Sequence, residues 1–224
     1  MTVLFVVAHP DDEAYGVAGT IAKLSSKEQV VILSVCNGNR PGADDQVGSL
    51  RRIAFSKACK ILNVGSMLRH NSDLSLDYKK AVEEVERAVN KIKPHTIYTH
   101  NISDINTDHR YLAEACLVAS RPKPNSCVDN LYFFEVPSST DWTFHQVQPS
   151  FQPNVYEDIT NQWEKKKQVL SLYTTETYEF PDARSIKAAE TLAKYRGYQC
   201  GVPYAEAFQL VFSRRRRSEE THTS

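Results

Sequence analysis

Apolar residues along the first two thirds of the chain come in two alternating rhythms. Val3 to Val7 is a short continuous apolar run rich in β-branched residues, which predicts a strand covered on both faces. Ala14, Val17, Ile21 and Leu24 then recur at helical spacing, and Val30 to Val35 reads as a second buried strand. Asn37-Gly38-Asn39 with Pro41-Gly42 opens a long loop before helical spacing returns from Arg51 to Leu62. Met67 to His70 is a short, polar third strand. The stripe Val82, Val85, Val89 and Ile92 predicts a helix from Asp77 to Lys93, stopped by Pro94. Thr96 to Thr99 reads as a strand, Asp108 to Ser120 as a helix and Leu131 to Val136 as a strand.

This order is the pattern of an α/β domain with a mostly parallel sheet, a Rossmann-like three-layer α/β/α arrangement. Past Pro137 the rhythm changes. Residues 138–153 are rich in Ser, Thr, Gln and Pro and read as a loop. Asn154 to Ile159 and Ala207 to Phe212 read as strands, and Asn161 to Tyr173 and Ser185 to Tyr195 as helices. The expected organisation is a single domain over 1–213 with an extended C-terminal third. A basic then polar tail, 214–224, is expected to be disordered.

Composition narrows the class. The 224 residues carry 27 Lys+Arg against 27 Asp+Glu, so no general basic face is available to release counterions from nucleic acid. The one dense basic run, Arg214 to Arg217, has no aromatic residue interleaved and reads as a solvated tail. The N-terminus lacks the basic region of a signal peptide, and no apolar run approaches the roughly 20 residues of a membrane span. Cys36, Cys59, Cys116, Cys127 and Cys200 are scattered, as expected of reduced thiols in a cytoplasmic protein.

The chemistry gathers where strands end, since ligands of an open parallel sheet bind at the carboxyl ends of its strands. The first strand runs into Ala8-His9-Pro10-Asp11-Asp12-Glu13. A helix start accounts for Pro10 and Glu13, but it needs neither His9 nor both aspartates, whose repulsion a divalent cation would remove. The strand at 96–99 runs into His100-Asn101-Ile102-Ser103-Asp104-Ile105-Asn106-Thr107-Asp108-His109. Thr107 or Asp108 is suited to cap the next helix. Both loops leave the same sheet edge, so His9, Asp12 and His109 can converge. Two histidines and a carboxylate with open positions suit a catalytic zinc or iron(II) site.

Ala8-His9-Pro10-Asp11-Asp12-Glu13 resembles the signature of the PIG-L/LmbE-like metal-dependent deacetylases, which hydrolyse N-acetyl groups from amino sugars. Asp104-x-Asn106-x-Asp108-His109 resembles their second metal motif. Asn154-Val155-Tyr156 with the Lys-rich helix from Trp163, and Arg196-Gly197 with Tyr204-Ala205-Glu206-Ala207-Phe208, resemble their C-terminal blocks. The resemblance spans nearly the whole chain. It implies His9, Asp12 and His109 as metal ligands and Asp11 as the general base for the attacking water. Zinc is the default metal, and iron(II) or other divalent ions accept the same ligands.

One position departs from the pattern. Many members have His where this chain has Asn106, which can donate a hydrogen bond to an oxyanion but cannot deliver a proton. His100 is the replacement candidate for the acid, with two alternatives open: Asp11 returns its own proton, or His100 is a buried structural residue. Arg51 aligns with a family arginine that meets substrate. Asp73 and Arg40 lie on the same rim, suited to sugar hydroxyls and to a phosphate or carboxylate respectively. The implied partner is a small amino sugar conjugate rather than nucleic acid, with another N-acyl amide as the alternative and homo-oligomerisation left open.

Rival readings are weaker. A phosphoacceptor receiver domain needs an aspartate ending the third strand, and Met67 to His70 supplies none. A dinucleotide-binding module needs G-x-G-x-x-G in the first turn, where only Gly16 lies nearby. A non-catalytic interaction protein, metal-binding or with the fold kept and the site lost, is the remaining rival, and the intact His9/Asp11/Asp12/His109 set argues against a lost site.

Overall fold

A computed structural model describes residues 1–40, 42, 45–73, 75–144 and 150–216. Arg217 and the polar tail to Ser224 lie outside the described residues, as does part of the 138–153 loop. The chain begins with β1 (Thr2–Val7), a π-helical turn (Glu13–Val17) and α1 (Ala18–Leu24), then β2 (Gln29–Cys36), α2 (Asp45–Leu62), β3 (Gly65–Asn71) and α3 (Tyr78–Ile92). It continues through β4 (Thr96–His100), α4 (Thr107–Ala119), β5 (Asn130–Phe134), β6 (Val155–Asp158), α5 (Trp163–Leu170), α6 (Ile186–Cys200) and β7 (Ala205–Ser213). One seven-stranded sheet runs β3-β2-β1-β4-β5-β7-β6. The first five strands are parallel, and β7 lies antiparallel between β5 and β6.

The sheet is covered on both faces, and the side-chain period of two divides β1 between them. Val3, Phe5 and Val7 pack in one core with Ile21 of α1, Phe55 and Ala58 of α2 and Leu170 of α5. Leu4, Val6 and Ala8 pack in the other with Val85 and Ala88 of α3 and Leu112 of α4. This is why Val3 to Val7 is apolar without alternation. β3 is polar because it is a sheet edge, with no residue fully buried. Among the described residues no helix is long and apolar enough to cross a membrane.

Two elements differ from their sequence expectation in ways that shape the site. The first helix is not continuous: a π-turn precedes α1, and Val17 at the junction leaves helical geometry (φ −142°, ψ 11°). The Glu206 carboxylate causes the break, accepting the N–H groups of Gly19 (2.9 Å) and Thr20 (2.7 Å) in place of carbonyls one turn back. α2 starts at Asp45, so Arg51 lies in its second turn rather than opening the helix, and it points inward. Arg214 and Arg216 both pair with Asp129 (3.2 and 2.7 Å). Arg214 and Arg216 are thus held against the domain, and the expected tail from Arg217 onward lies outside the described residues.

Candidate active site

The chain runs from β1 outward through β2 to β3, then returns to place β4 on the other side of β1. That reversal opens a crevice at the carboxyl ends of β1 and β4. His9 to Glu13 enter it after β1. His100 closes β4, and Asp108 and His109 lie in the first turn of α4.

His9, Asp12 and His109 are buried, and one potential ligand atom from each lies within 4.8 Å of the others. Each imidazole is aimed by a carboxylate. His9 Nε2 meets Asp108 Oδ2 at 2.9 Å, turning Nδ1 toward Asp12 (3.4 Å). His109 Nδ1 lies 3.1 Å from Asp104 Oδ2, turning Nε2 toward Asp12 (3.3 Å). Carboxylates behind histidine ligands are the usual means of fixing tautomer and ring direction at a metal. Two atoms of the cluster are buried without a well-aligned hydrogen bond among the described residues: Asp12 Oδ1, and His109 Nε2, which has only its 3.3 Å ion pair with Asp12. Orphaned buried polar atoms are costly unless something supplies their bonds. A nitrogen–oxygen donor set with open valences fits a divalent cation such as zinc.

Electrostatics tell the same story. Burial opposes a charged His9, yet its hydrogen bonds to Asp108 and Asp12 push it up to about 9. Burial likewise opposes a charged His109, but Asp12 and Asp104 push it up to about 10. The carboxylates thus call for positive charge here, which a cation would provide. His100 behaves oppositely, since burial and the neighbouring His109 push it down to about 3. It stacks on His109 with ring centroids 3.8 Å apart, and its Nε2 accepts the Ala8 N–H at 2.9 Å. Nε2 is thus engaged as an acceptor, and burial and the neighbouring His109 both disfavour a charged His100.

Asp11 sits beside the cluster in strained backbone, with φ 139° in a region that favours glycine. Its N–H donates to Glu13 Oε2 (3.1 Å), and its carbonyl accepts from Ala14 (2.9 Å) and Tyr15 (3.1 Å). Glu13 is anchored in turn by the Tyr173 hydroxyl. Burial pushes Glu13 up to about 8 against that hydrogen bond, which limits the negative charge beside Asp11 and Asp12. Asp11 Oδ2 accepts from Arg184 Nη1 (2.8 Å) and Arg51 Nη2 (3.3 Å), while Oδ1 is buried without a partner among the described residues.

The rim residues take different places. Arg51 is buried beneath Asp11, its Nη1 bonded to Asp73 Oδ2 (2.6 Å) and the Gly38 carbonyl (3.1 Å). Asp73 also accepts the Gly38 N–H (3.2 Å), so Arg51 and Asp73 are committed to each other and to the loop after β2. Arg40 is half exposed and pairs with Glu176 (3.0 Å). Asn106 caps α4, its side chain accepting the Asp108 N–H (2.9 Å). No hydrogen bond joins it to His9, Asp12 or His109 among the described residues. Sequence reasoning missed Asp104 and Asp108 as partners of the histidines, and it missed Arg184, Glu176 and Tyr173. The first two stand inside the quoted motif. The other three come from the C-terminal third, where no local pattern marks them.

Residues 4–120 match the family described as PIG-L: GlcNAc-PI de-N-acetylase, and the chain belongs to it. It is 29% identical over 227 aligned positions to the diacetylchitobiose deacetylase of Thermococcus kodakarensis, covering 93% of this chain and 82% of that one. The fold is similar to that of N,N'-diacetylchitobiose deacetylase from Pyrococcus horikoshii, complexed with its inhibitor MPG (TM-score 0.73, 21% identity, 93% and 83% coverage). It is also similar to that of GalB, the 4-carboxy-2-hydroxymuconate hydratase of Pseudomonas putida KT2440 (TM-score 0.76, 21% identity, 97% and 98% coverage).

Proposed function

We propose that this protein is a metal-dependent hydrolase that removes an N-acetyl group from an amino sugar conjugate. The observation carrying the reading is the buried His9/Asp12/His109 set with two atoms lacking a well-aligned hydrogen bond, beside an Asp11 carboxylate with one oxygen open. His9, Asp12 and His109 would hold a divalent cation, zinc by default, which would supply Lewis acidity and lower the pKa of water. Asp11 Oδ1 takes the proton from the attacking water as its oxygen bonds to the acyl carbon. The same carboxyl returns that proton to the amine nitrogen as the C–N bond breaks, leaving the free amine and acetic acid, which gives up its remaining proton to solvent as acetate. Two contacts support this reading: His100 Nε2 is engaged by the Ala8 N–H, and the Asn106 side chain caps its own helix. Asp108 and Asp104 hold the two imidazoles in register throughout. Of the three rim residues Arg40 presents an exposed cation to substrate, while Arg51 and Asp73, buried and bonded to each other, support the site from beneath Asp11.

The amino sugar assignment draws on the relatives named for diacetylchitobiose. Fold alone does not select the reaction, since a hydratase has a similar one. The test is bound-metal analysis followed by acetate release from a panel of N-acetyl amino sugars and other N-acyl amines. Wild type is expected to release acetate, and Asp11→Asn to keep its metal while losing about 10²- to 10⁴-fold in kcat. Full metal occupancy with no release from any substrate sinks the deacetylase reading. A protein that binds no metal, and is unchanged by His9→Ala, sinks the site.

A further inference from the structure

Arg184 lies in the irregular segment between α5 and α6, far from either metal motif in sequence, yet it reaches the carboxylate of Asp11. Its guanidinium is held on several sides. Nη1 donates to Asp11 Oδ2 at 2.8 Å, and Nε donates to Ser138 Oγ at 2.9 Å. The guanidinium carbon lies 5.1 Å from the centre of the Tyr15 ring. The backbone beneath is fixed as well: the Arg184 N–H donates to Asp182 (2.7 Å), and its carbonyl accepts the Tyr15 hydroxyl (2.9 Å). The loop after β5 that supplies Ser138 also supplies Ser139 and Thr140. Their hydroxyls donate to Asp104 Oδ2 at 2.9 and 2.8 Å, and Asp104 in turn orients His109. One short loop thus braces both the base, through Arg184, and a histidine of the cluster, through Asp104.

We propose that Arg184 is a positioning residue for Asp11, clamping Oδ2 so that Oδ1 is the oxygen presented to the reacting water and amine. The proposal rests on the deacetylase reading above. The asymmetry of the carboxylate is its basis, since both arginine contacts fall on Oδ2 and Oδ1 has none. Charge adds a second reason. Asp11, Asp73 and Glu176 are three buried carboxylates, and Arg51 and Arg184 are the cations packed between them. Nε and Nη1 are both committed, and through Nη1 Arg184 acts on Asp11.

The test uses metal-loaded full-length protein. Arg184→Gln is expected to lower kcat about 10- to 100-fold, with KM within about threefold and metal content unchanged. Added to Asp11→Asn it is expected to cost nothing further, because a residue acting through Asp11 has nothing left to position. Wild-type kcat in Arg184→Gln overturns the proposal, as does the same fold-loss persisting in the Asp11→Asn background. A second arm needs no activity: thermal midpoints of the four proteins should be non-additive, and additive losses overturn the proposal. If wild type cleaves no N-acyl amine, the functional reading fails alone, and the thermal cycle still decides whether Arg184 holds Asp11. Should Arg184→Gln not fold, Ser138→Ala removes only the Nε anchor. It is expected to lower kcat several-fold, and an unchanged kcat counts against the clamp.

Discussion

Each imidazole of the cluster depends on a carboxylate that never needs to meet a metal. Asp104 is the better placed for a test, because it accepts from Ser139, Thr140 and the Asn106 N–H (2.8 Å) as well as meeting His109. His109 holds it down at about 2 against burial, so it is ionised under all working conditions. Asp104→Asn keeps the shape, loses the charge and loosens the His109 tautomer. Metal affinity should fall about 10- to 100-fold, read by competition with a chromophoric chelator. Arg51 is a different kind of residue. A lysine could not reproduce its fork, which reaches Asp11, Asp73, the Gly38 carbonyl and the Pro10 carbonyl (3.3 Å) from one buried plane.

At the scale of elements, the starts of helices do the positioning. α4 begins beside the site because Asn106 caps it, and that cap aims Asp108 and His109 from the first turn. Asn106→Ala should lower stability by about 1 kcal/mol, the ordinary worth of such a cap, as measured by urea unfolding. A much larger loss of kcat than that change accounts for would restore a direct role to Asn106. The π-turn is the second device. It carries Glu13 inward to the Asp11 N–H and to Tyr173, and its end is fixed where Glu206 takes over the first N–H groups of α1. Gly19 permits the close approach of Ile159, whose buried side chain a Cβ there would meet at 2.8 Å.

Across the whole molecule, the C-terminal third is fastened to the first turn by a buried ion pair. Lys166 of α5 donates to Glu206 of β7 (2.7 Å) and to the Tyr15 carbonyl (2.9 Å). Lys166→Met leaves the Glu206 carboxylate buried without its cation and should cost about 3 kcal/mol. Because Tyr173, Glu176 and Arg184 reach the site from that same third, the molecule should lose metal and secondary structure in one transition. Urea titrations followed by far-ultraviolet circular dichroism and by metal release are expected to share a midpoint. Separate midpoints would mean that the C-terminal third detaches first.

How much of this is legible in the sequence follows from the range of the forces involved. The alternation of strands and helices, the mostly parallel sheet and the convergence of His9, Asp12 and His109 at one edge all come from local periodicity and from the rule that such sheets bind ligands at their strand ends. β3 is harder to see because an edge strand need not be apolar. The continuous first helix expected from Ala14 to Leu24 is interrupted by Glu206, nearly two hundred positions downstream. No local pattern carries that contact. The same holds for the surroundings of His100, buried and stacked on His109, and for the environment of Asp11. The sequence by itself determined which residue types stand at the strand ends. Tertiary structure alone decided which oxygen of Asp11 the arginines contact, which imidazoles face the carboxylates and which distant arginine reaches Asp11, because those depend on atoms brought within about 3 to 4 Å by folding.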